Sequence, residues 1–300
     1  MPDQPLVYII VLNWNGWQDT VECINSLNEL SYDNYRLIVV DNGSKDGSVK
    51  KLIERFPDLR IHQTGDNLGY AGGNNAGIRI AMSEGCDYVW ILNNDTIVDR
   101  DSLRVMVNKM EMNPDAGLCG ATLVYADHKE VVQAMGGGSY NRWLGTTKNI
   151  GDGWDLDSIN DVDTTPDFIA GASVLVSNKF LEEIGLMNEE YFLYYEEIDW
   201  AVRSNENFSL IYAKESIVYH KEGSSTKGNR NRPSSRSLTA DFYQLRNRLR
   251  FTKNHTPYCL PTVYATVVAA LFIRILKGRW KHIPIVLSVL IGHTPTRFRA

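Results

Sequence analysis

The sequence predicts an α/β fold built on a mixed, mainly parallel sheet flanked by helices. Short apolar runs of strand length alternate with segments whose apolar residues recur at helical spacing. The early strand-like runs are nearly continuous in Val, Ile and Leu, as in sheets covered on both faces, and they end in polar clusters of Asn, Asp and Gly. With 300 residues, 43% of them hydrophobic and 22% charged, the chain can bury one large core or two modest ones and lies outside the composition of a disordered protein.

Residues 7–12, VYIIVL, are the first strand. Val21, Ile24, Leu27 and Leu30 then fall on one helical face, and RLIVVDNGSKDGS from Arg36 repeats strand and polar turn. Val49, Leu52, Ile53 and Phe56 mark a second helix closed by Pro57, followed by a short strand over 60–63, a helix over 74–83 and a strand over 88–92. Such alternation argues for parallel strands with crossover helices. Ligands in such sheets sit beyond the carboxyl ends of the strands. Asn13-Trp14-Asn15, Asp41-Asn42-Gly43-Ser44 and Asn93-Asn94-Asp95 fall there; turns use these residues anyway, but three clusters together point to one site.

The second half is less regular. VVQAMGGGSYNRWLG suits a mobile loop or hairpin, and IGDGWDLDSINDVDTTPD is an acidic connector without the spacing of a calcium loop. FIAGASVLVSNKFLEEIG reads as a strand and a helix closed by Gly185. YFLYYEEIDWAVR then places Glu196, Glu197 and Asp199 after four aromatics. Acids in a first helical turn are favoured by the helix dipole alone. Aromatic walls also raise a carboxylate's pKa and make it a usable base, while Arg203 can hold a neighbouring acid ionised. His220 ends the strand-like SLIYAKESIVYH before a loop with Lys221, Lys227, Arg230 and Arg232, a place suited to a metal or a diphosphate.

Charge is divided unevenly. Residues 1–220 carry 16 Lys+Arg against 34 Asp+Glu, a net of −18, and residues 221–300 carry 15 against 2, a net of +13. An acidic body with a basic tail suggests contact with phosphates or a membrane surface, or simply a solvated tail. The four separated cysteines, Cys23, Cys86, Cys119 and Cys259, show no zinc spacing and read as reduced packing residues of a cytoplasmic protein. The start lacks a basic region before its apolar run and fits a strand better than a signal peptide. NLGYAGGNN is not GxGxxG and no P-loop occurs, which leaves a dehydrogenase or an NTPase unsupported.

Taken in order, VLNWNG, IVVDNGSKDGS, NLGYAGGNNAGI, ILNNDTIV, FIAGASVLV and YFLYYEEIDWAVR resemble the bacterial family 2 glycosyltransferases, in particular their rhamnosyltransferase-like branch, over residues 5–255. The resemblance implies a GT-A (Rossmann-like) fold, a catalytic domain over 1–255 with a nucleotide-binding half (1–100) and an acceptor-side half (101–255), and inverting, metal-dependent sugar transfer. The donor would be a dTDP- or UDP-sugar, rhamnose being the guess from the branch. A glycan or polyprenyl-diphosphate-linked saccharide would accept the sugar in surface polysaccharide synthesis, with no nucleic-acid partner.

By the same resemblance Asp95 holds Mg2+ or Mn2+, with His220 as a looser second ligand, and Asn93 stands where many relatives carry another acid. One carboxylate plus the diphosphate is enough for a hard divalent ion. Asp41 falls to the nucleoside, and Asn67, Gly69, Gly72, Gly73 and Asn74 form a loop on the donor's nucleotide side, joined by Asn13, Asn15, Asn94 and Lys221. Glycines would let the backbone approach the ligand, and the following helix N-terminus would favour anions. The family's base lies in a Glu-Asp pair; here the pair is Glu196-Glu197, with Glu197 aligned to the base and Asp199 as the fallback. Trp143 and Trp200 are the expected acceptor contacts. A binding protein that has lost catalysis and a sugar nucleotidyltransferase are the alternatives.

In the tail, 256–300, the apolar runs 260–273 and 283–291 each fall short of the roughly 20 residues of a spanning helix. With Trp280 and basic residues between them, they read as interfacial helices on the cytoplasmic face of the inner membrane, or as helices packed on the catalytic domain or on a second copy.

Overall fold

The computed structural model describes residues 4–159, 162–204, 207–221 and 237–295. Its first half alternates as β1 (Val7–Asn13), α1 (Trp17–Leu27), β2 (Tyr35–Asp41), α2 (Ser48–Arg55), β3 (Ile61–Gln63), α3 (Gly69–Ser83), β4 (Tyr88–Asn93), β5 (Thr96–Val98) and α4 (Ser102–Glu111). There follow β6 (Ala116–Tyr125), β7 (His128–Met135), β8 (Gly137–Asn141), β9 (Thr146–Asn149), β10 (Phe168–Ile169), β11 (Ser173–Ser177), α5 (Asn178–Glu183), α6 (Glu196–Arg203) and β12 (Ser209–His220). Three helices complete the chain: α7 (Leu238–His255), α8 (Leu260–Leu276) and α9 (Ile283–Leu290).

The main sheet runs β3-β2-β1-β4-β11-β6-β12-β5, with β7 added on β6. It is parallel from β3 to β4; β11 runs against both β4 and β6, and β12 returns parallel to β6. Alternation along β1 explains its unbroken apolar run. Val7, Ile9 and Val11 enter the core under α1 and α4, while Tyr8 and Ile10 enter the core under α3, and both faces are dry. A small sheet, β10-β8-β9, lies beside the main one.

One open reading resolves and two expectations change. β8 and β9 pair across a turn at 142–145, so of the two readings of 131–145 the hairpin is the one observed. The glycine-rich stretch from Gly69 is not a loop before a helix at 74; it is the first turns of α3. A Cβ at Gly73 would meet Leu12 Cδ1 at 2.5 Å, and one at Gly77 would meet Ile10 at 2.7 Å. These glycines let a helix lie close against β1, a packing role that outweighs their low helix propensity. The tail run is also longer than expected. A 3-10 turn, Pro257–Cys259, continues into α8 and makes Pro257–Leu276 a 20-residue apolar segment, long enough to cross a bilayer by length and composition. Only 17% of its apolar window is buried, so it is not an ordinary core helix.

Candidate functional site

Strand register brings the polar clusters to one edge: Asn13 pairs with Asp41, and Leu12 with Asn93. Asp41 is buried and accepts from Asn13 Nδ2 (2.8 Å) and Ser44 N (3.0 Å). Asn13 also donates to Ser44 Oγ and accepts from Thr20 Oγ1 (2.9 Å). Asn15, in the left-handed region at φ 53°, accepts from Lys45 N (2.7 Å). Asn94 points back into the fold: its amide donates to Gly16 O and Thr20 Oγ1, tying β4 to α1. Asn42, named in its cluster without a role of its own, donates to Asn67 Oδ1 and Gly69 O and accepts from Leu68 N, fastening the β2 turn to the head of α3.

Gly69 and Gly72 approach protein rather than open space. A Cβ on Gly69 would fall 2.3 Å from Phe192 O, and one on Gly72 2.7 Å from Leu68 Cβ. Asn74 is buried with its amide on Tyr70 O (3.0 Å), while its Oδ1 has no hydrogen-bond partner. Lys221 does not stand free to meet an anion; its ammonium lies between Asp19 (2.8 Å) and Glu22 (2.7 Å). Lys227, Arg230 and Arg232 lie outside the described residues.

Asp95 and His220 are brought together. β5 pairs with β12 so that Thr96 faces His220, and Lys221 N donates to Asp95 O (3.0 Å). His220 Nε2 sits 3.3 Å from Asp95 Oδ1, both side chains nearly buried. Gln133 Oε1 lies 2.8 Å from His220 Nδ1; with the proton on that nitrogen, Nε2 would present its lone pair beside the carboxylate. Two lone-pair donors this close fit a shared cation. Among the described residues no three His, Cys, Asp or Glu side chains converge to hold a metal alone. The donor set therefore suits Mg2+ or Mn2+ completed by waters and a substrate diphosphate, rather than a closed structural site.

The acidic stretch is built on a strained loop. Leu193 N donates to Tyr191 O (2.7 Å) across Phe192 at φ 65°, ψ −51°, a tight γ-turn, and Tyr194 and Tyr195 follow at φ 69° and 78°. Left-handed residues of this size cost roughly 1–3 kcal/mol each and cluster at functional sites. Both Glu196 and Glu197 have a buried oxygen, Oε2, without a hydrogen-bond partner. Burial, and then the charge of Glu197, push the Glu196 carboxyl well above the usual range. Burial pushes Glu197 up to about 6, against the pull of the backbone N–H groups of Glu197 and Tyr195.

The pair lies near the β4 end. Tyr70, whose own pKa is raised by burial and by the two glutamates, donates to Gly171 O, and the adjacent Ala172 O accepts from Asn93 N (3.1 Å).

Asp199 belongs to another cluster. It is buried and accepts from Arg203 Nε (2.8 Å) and Tyr191 OH (3.2 Å), with His255 Nε2 at 2.8 Å. Burial opposes its ionisation, but His255 and Arg203 prevail and hold it below the ordinary value. An acid so engaged is a poor base, which corrects its place as the fallback. Trp200 is likewise corrected: it is 1% exposed, packs on Phe180 and donates to Gly185 O, so it is core and touches no acceptor. Four residues after buried Glu196 on a short helix, it falls on the same inner face. Trp143 remains exposed, edge-on to Tyr258, with its carbonyl held by Thr262.

A carboxyl with a raised folded pKa contributes stability that is fully present below the unfolded value and lost as pH rises through the folded one. For Glu197 that window runs from about 4.3, the unperturbed value, to about 6. Glu197→Gln is therefore expected to exceed wild type by about 1–2 kcal/mol in urea unfolding at about pH 7.5 and to match it near about pH 4. A difference that does not change with pH would remove the buried charge as its cause.

The sequence model of Glycosyl transferase family 2 matches residues 8–155. The low-salt glycan biosynthesis hexosyltransferase of Haloferax volcanii is 25% identical over 206 residues, 67% of this chain and 62% of that protein. The N-acetylglucosaminyl-diphospho-decaprenol L-rhamnosyltransferase of Mycobacterium tuberculosis is 23% identical over 214 residues, 63% of this chain and 67% of that one. Among solved structures, a mannosyltransferase from Pyrobaculum calidifontis in complex with GDP-Man and Mn2+ superposes with a TM-score of 0.56 at 15% identity, covering 97% of this chain and 87% of that one. GalNAc-T7 with UDP, GalNAc and Mn2+ gives 0.62 at 13% identity, covering 84% and 48%. The fold is GT-A-like, residues 8–155 match glycosyltransferase family 2, and the chain is similar to hexosyl- and rhamnosyltransferases of that kind.

Proposed function

We propose that residues 1–255 form an inverting glycosyltransferase domain that moves a sugar from a nucleotide-diphosphate donor to a glycan or lipid-linked saccharide. The observation that carries this reading is the Asp95–His220 pair at the β5–β12 edge, together with the raised carboxyl of Glu197, whose neighbour Tyr70 bonds Gly171 next to the Ala172 carbonyl that receives Asn93 N. Asp95 and His220 would hold the divalent ion, which when bound neutralises the charge of the leaving diphosphate. The ends of β1 and β2, with Asn13, Asn15 and Asp41, would seat the nucleoside.

Glu197, with a pKa near the working pH, is ionised yet basic enough to take the proton of an acceptor hydroxyl. As that proton moves to Glu197, the acceptor oxygen forms its bond to the anomeric carbon and the bond to the diphosphate oxygen breaks on the opposite side. One displacement inverts the anomeric centre, and the nucleoside diphosphate departs. Glu196, pushed toward its neutral form by burial and by the charge of Glu197, would keep a second negative charge away from the base. Transfer of L-rhamnose to a polyprenyl-diphosphate-linked sugar is the specific reaction favoured by the M. tuberculosis relative's name, with a dTDP donor as the expectation from the resemblance.

The tail supports a lipid-borne acceptor. Tyr264, Val268, Phe272 and Leu276 form an exposed stripe at four-residue steps on α8, next to exposed Trp280, with Leu287 and Ile291 exposed at and just beyond the end of α9. After Asp241, itself buried against Arg274 and His282, the chain contains no acid. Thr262 and Thr266 bind α8 to the carbonyls of Trp143 and Leu144, which favours a helix lying along the body with its far end in the lipid surface over one crossing the bilayer. This favours a peripheral membrane protein, with the cytoplasmic face of the inner membrane as the proposed location.

Release of nucleoside diphosphate from dTDP-, UDP- and GDP-sugars, with synthetic polyprenyl-diphosphate N-acetylglucosamine as acceptor and Mn2+ present, tests the reaction. Asp95→Ala and Glu197→Gln are each expected to lose turnover by on the order of a hundredfold or more. A fully active Glu197→Gln would move the base elsewhere, and a fully active Asp95→Ala would remove the metal site. For the tail, sedimentation with anionic phosphatidylglycerol vesicles but not with phosphatidylcholine is expected, and loss of it in Phe272→Asp with Leu276→Asp. Vesicle-independent dimerisation through the same face would replace the membrane with a second copy.

A further inference from the structure

We infer that Asn247, on α7, is the positioning residue that sets the geometry of the Glu196–Glu197 cradle. This rests on the reading of Glu197 as the base. Asn247 is fully buried, and its amide nitrogen lies 2.8 Å from each of three carbonyls, those of Tyr191, Leu193 and Tyr194. Two hydrogens shared among three acceptors make a clamp on the residues flanking the γ-turn. The orientation of the amide is fixed independently, since Arg246 Nε donates to Asn247 Oδ1 at 2.9 Å and so keeps the nitrogen turned toward the loop.

The neighbouring contacts act on the same segment. Arg246 donates to Glu190 O (2.7 Å) and Tyr191 O (3.1 Å), and Phe192 stacks on Tyr243 with ring centroids 4.7 Å apart. On the far side, Tyr195 OH donates to Gly145 O of the β8–β9 hairpin. Nothing in the loop's own sequence favours left-handed Phe192, Tyr194 and Tyr195, because none is glycine. The conformation persists because α7 holds the carbonyls outward, and outward carbonyls leave the N–H groups turned toward the two carboxylates. Successive N–H groups around left-handed residues form an anion-binding concavity. Here those of Tyr194 and Glu196 favour the Glu196 carboxylate, and those of Tyr195 and Glu197 favour that of Glu197.

Releasing the clamp lets the loop relax toward ordinary backbone angles and withdraws those N–H groups. The ionisable groups around Glu197 are Glu196 on its own helix, Tyr195 in the loop and Tyr70 on α3, with Asp199 acting on Glu196. The nearest cation, Arg248 on α7, acts on Tyr195 and none acts on Glu197 itself to compensate for lost donors, so the Glu197 carboxyl would titrate higher.

The test uses the full chain with 13C-labelled glutamate carboxyls, followed by infrared difference titration without ligand, and the same diphosphate-release assay as a function of pH. Asn247→Leu, which keeps much of the volume and removes both donors, is expected to move the Glu197 titration and the acid limb of kcat upward. Its kcat at neutral pH should fall by on the order of a hundredfold, as misplacing a catalytic group does, with donor KM unchanged. Arg246→Gln, which keeps the Asn247 donors but removes the hold on Oδ1 and the bonds to Glu190 O and Tyr191 O, is expected to shift both in the same direction by less. If Asn247→Leu does not fold, Arg246→Gln decides alone. Folded variants with lowered stability but an unmoved titration and acid limb would overturn the inference and leave Asn247 a structural residue. Should wild type turn over no donor, the base reading fails, and the infrared shift still decides whether Asn247 sets the cradle.

Discussion

Two adjacent carboxyls kept out of water at the head of α6 are the constraint around which the second half of the chain is arranged. Burying an ion costs about several kcal/mol even after relaxation, and a second like charge beside it adds to that. The molecule meets this in two ways. Environment pushes Glu196 far toward its neutral form, while Glu197 is held near a value where both forms are accessible. The N-terminus of α6 and the left-handed turns before it supply backbone donors, and α7 and the β8–β9 hairpin hold that loop from both sides.

The first half meets a different requirement. Parallel strands β1, β2 and β4 end together, and their polar residues bond chiefly to one another: Asn13 to Asp41, Asn94 to Thr20, Asn42 to Asn67. Such mutual bonding gives a stiff rim with few side chains left to rearrange, which is what a site that must seat a charged ligand without reorganisation needs. Asp95 and His220 are placed by the β5–β12 pairing, and Gln133 on β7 bonds the histidine ring, so three distant segments converge on one pair of side chains.

Much of this was legible in the sequence where one periodicity dominates. β1, β2 and β12 follow their apolar runs to within a residue or so, and α6 begins at Glu196 as its acids indicate. Legibility failed where a residue's role depends on a distant partner. The glycines of α3 look like a loop because their packing against Leu12 and Ile10 is nonlocal. Gln133 lay in a stretch read as a loop or hairpin, and its value comes only from His220 across the sheet. Asn247 sits in a basic helix with no local mark, since its acceptors are more than fifty residues away. Trp200 carried the opposite error, an aromatic beside catalytic acids that faces the core instead. The early alternation and the acidic motif were enough to suggest the family; the second half's topology needed coordinates.

Calorimetric titration of the full chain with dTDP, UDP and GDP, each with and without Mn2+, tests the donor site most directly. Tight binding of one diphosphate that depends on the ion is the predicted result, because two protein donors cannot complete a divalent coordination sphere without the phosphates. A folded chain that binds none of the three, or binds one equally well without the ion, would contradict the placement of a metal–diphosphate site at Asp95 and His220.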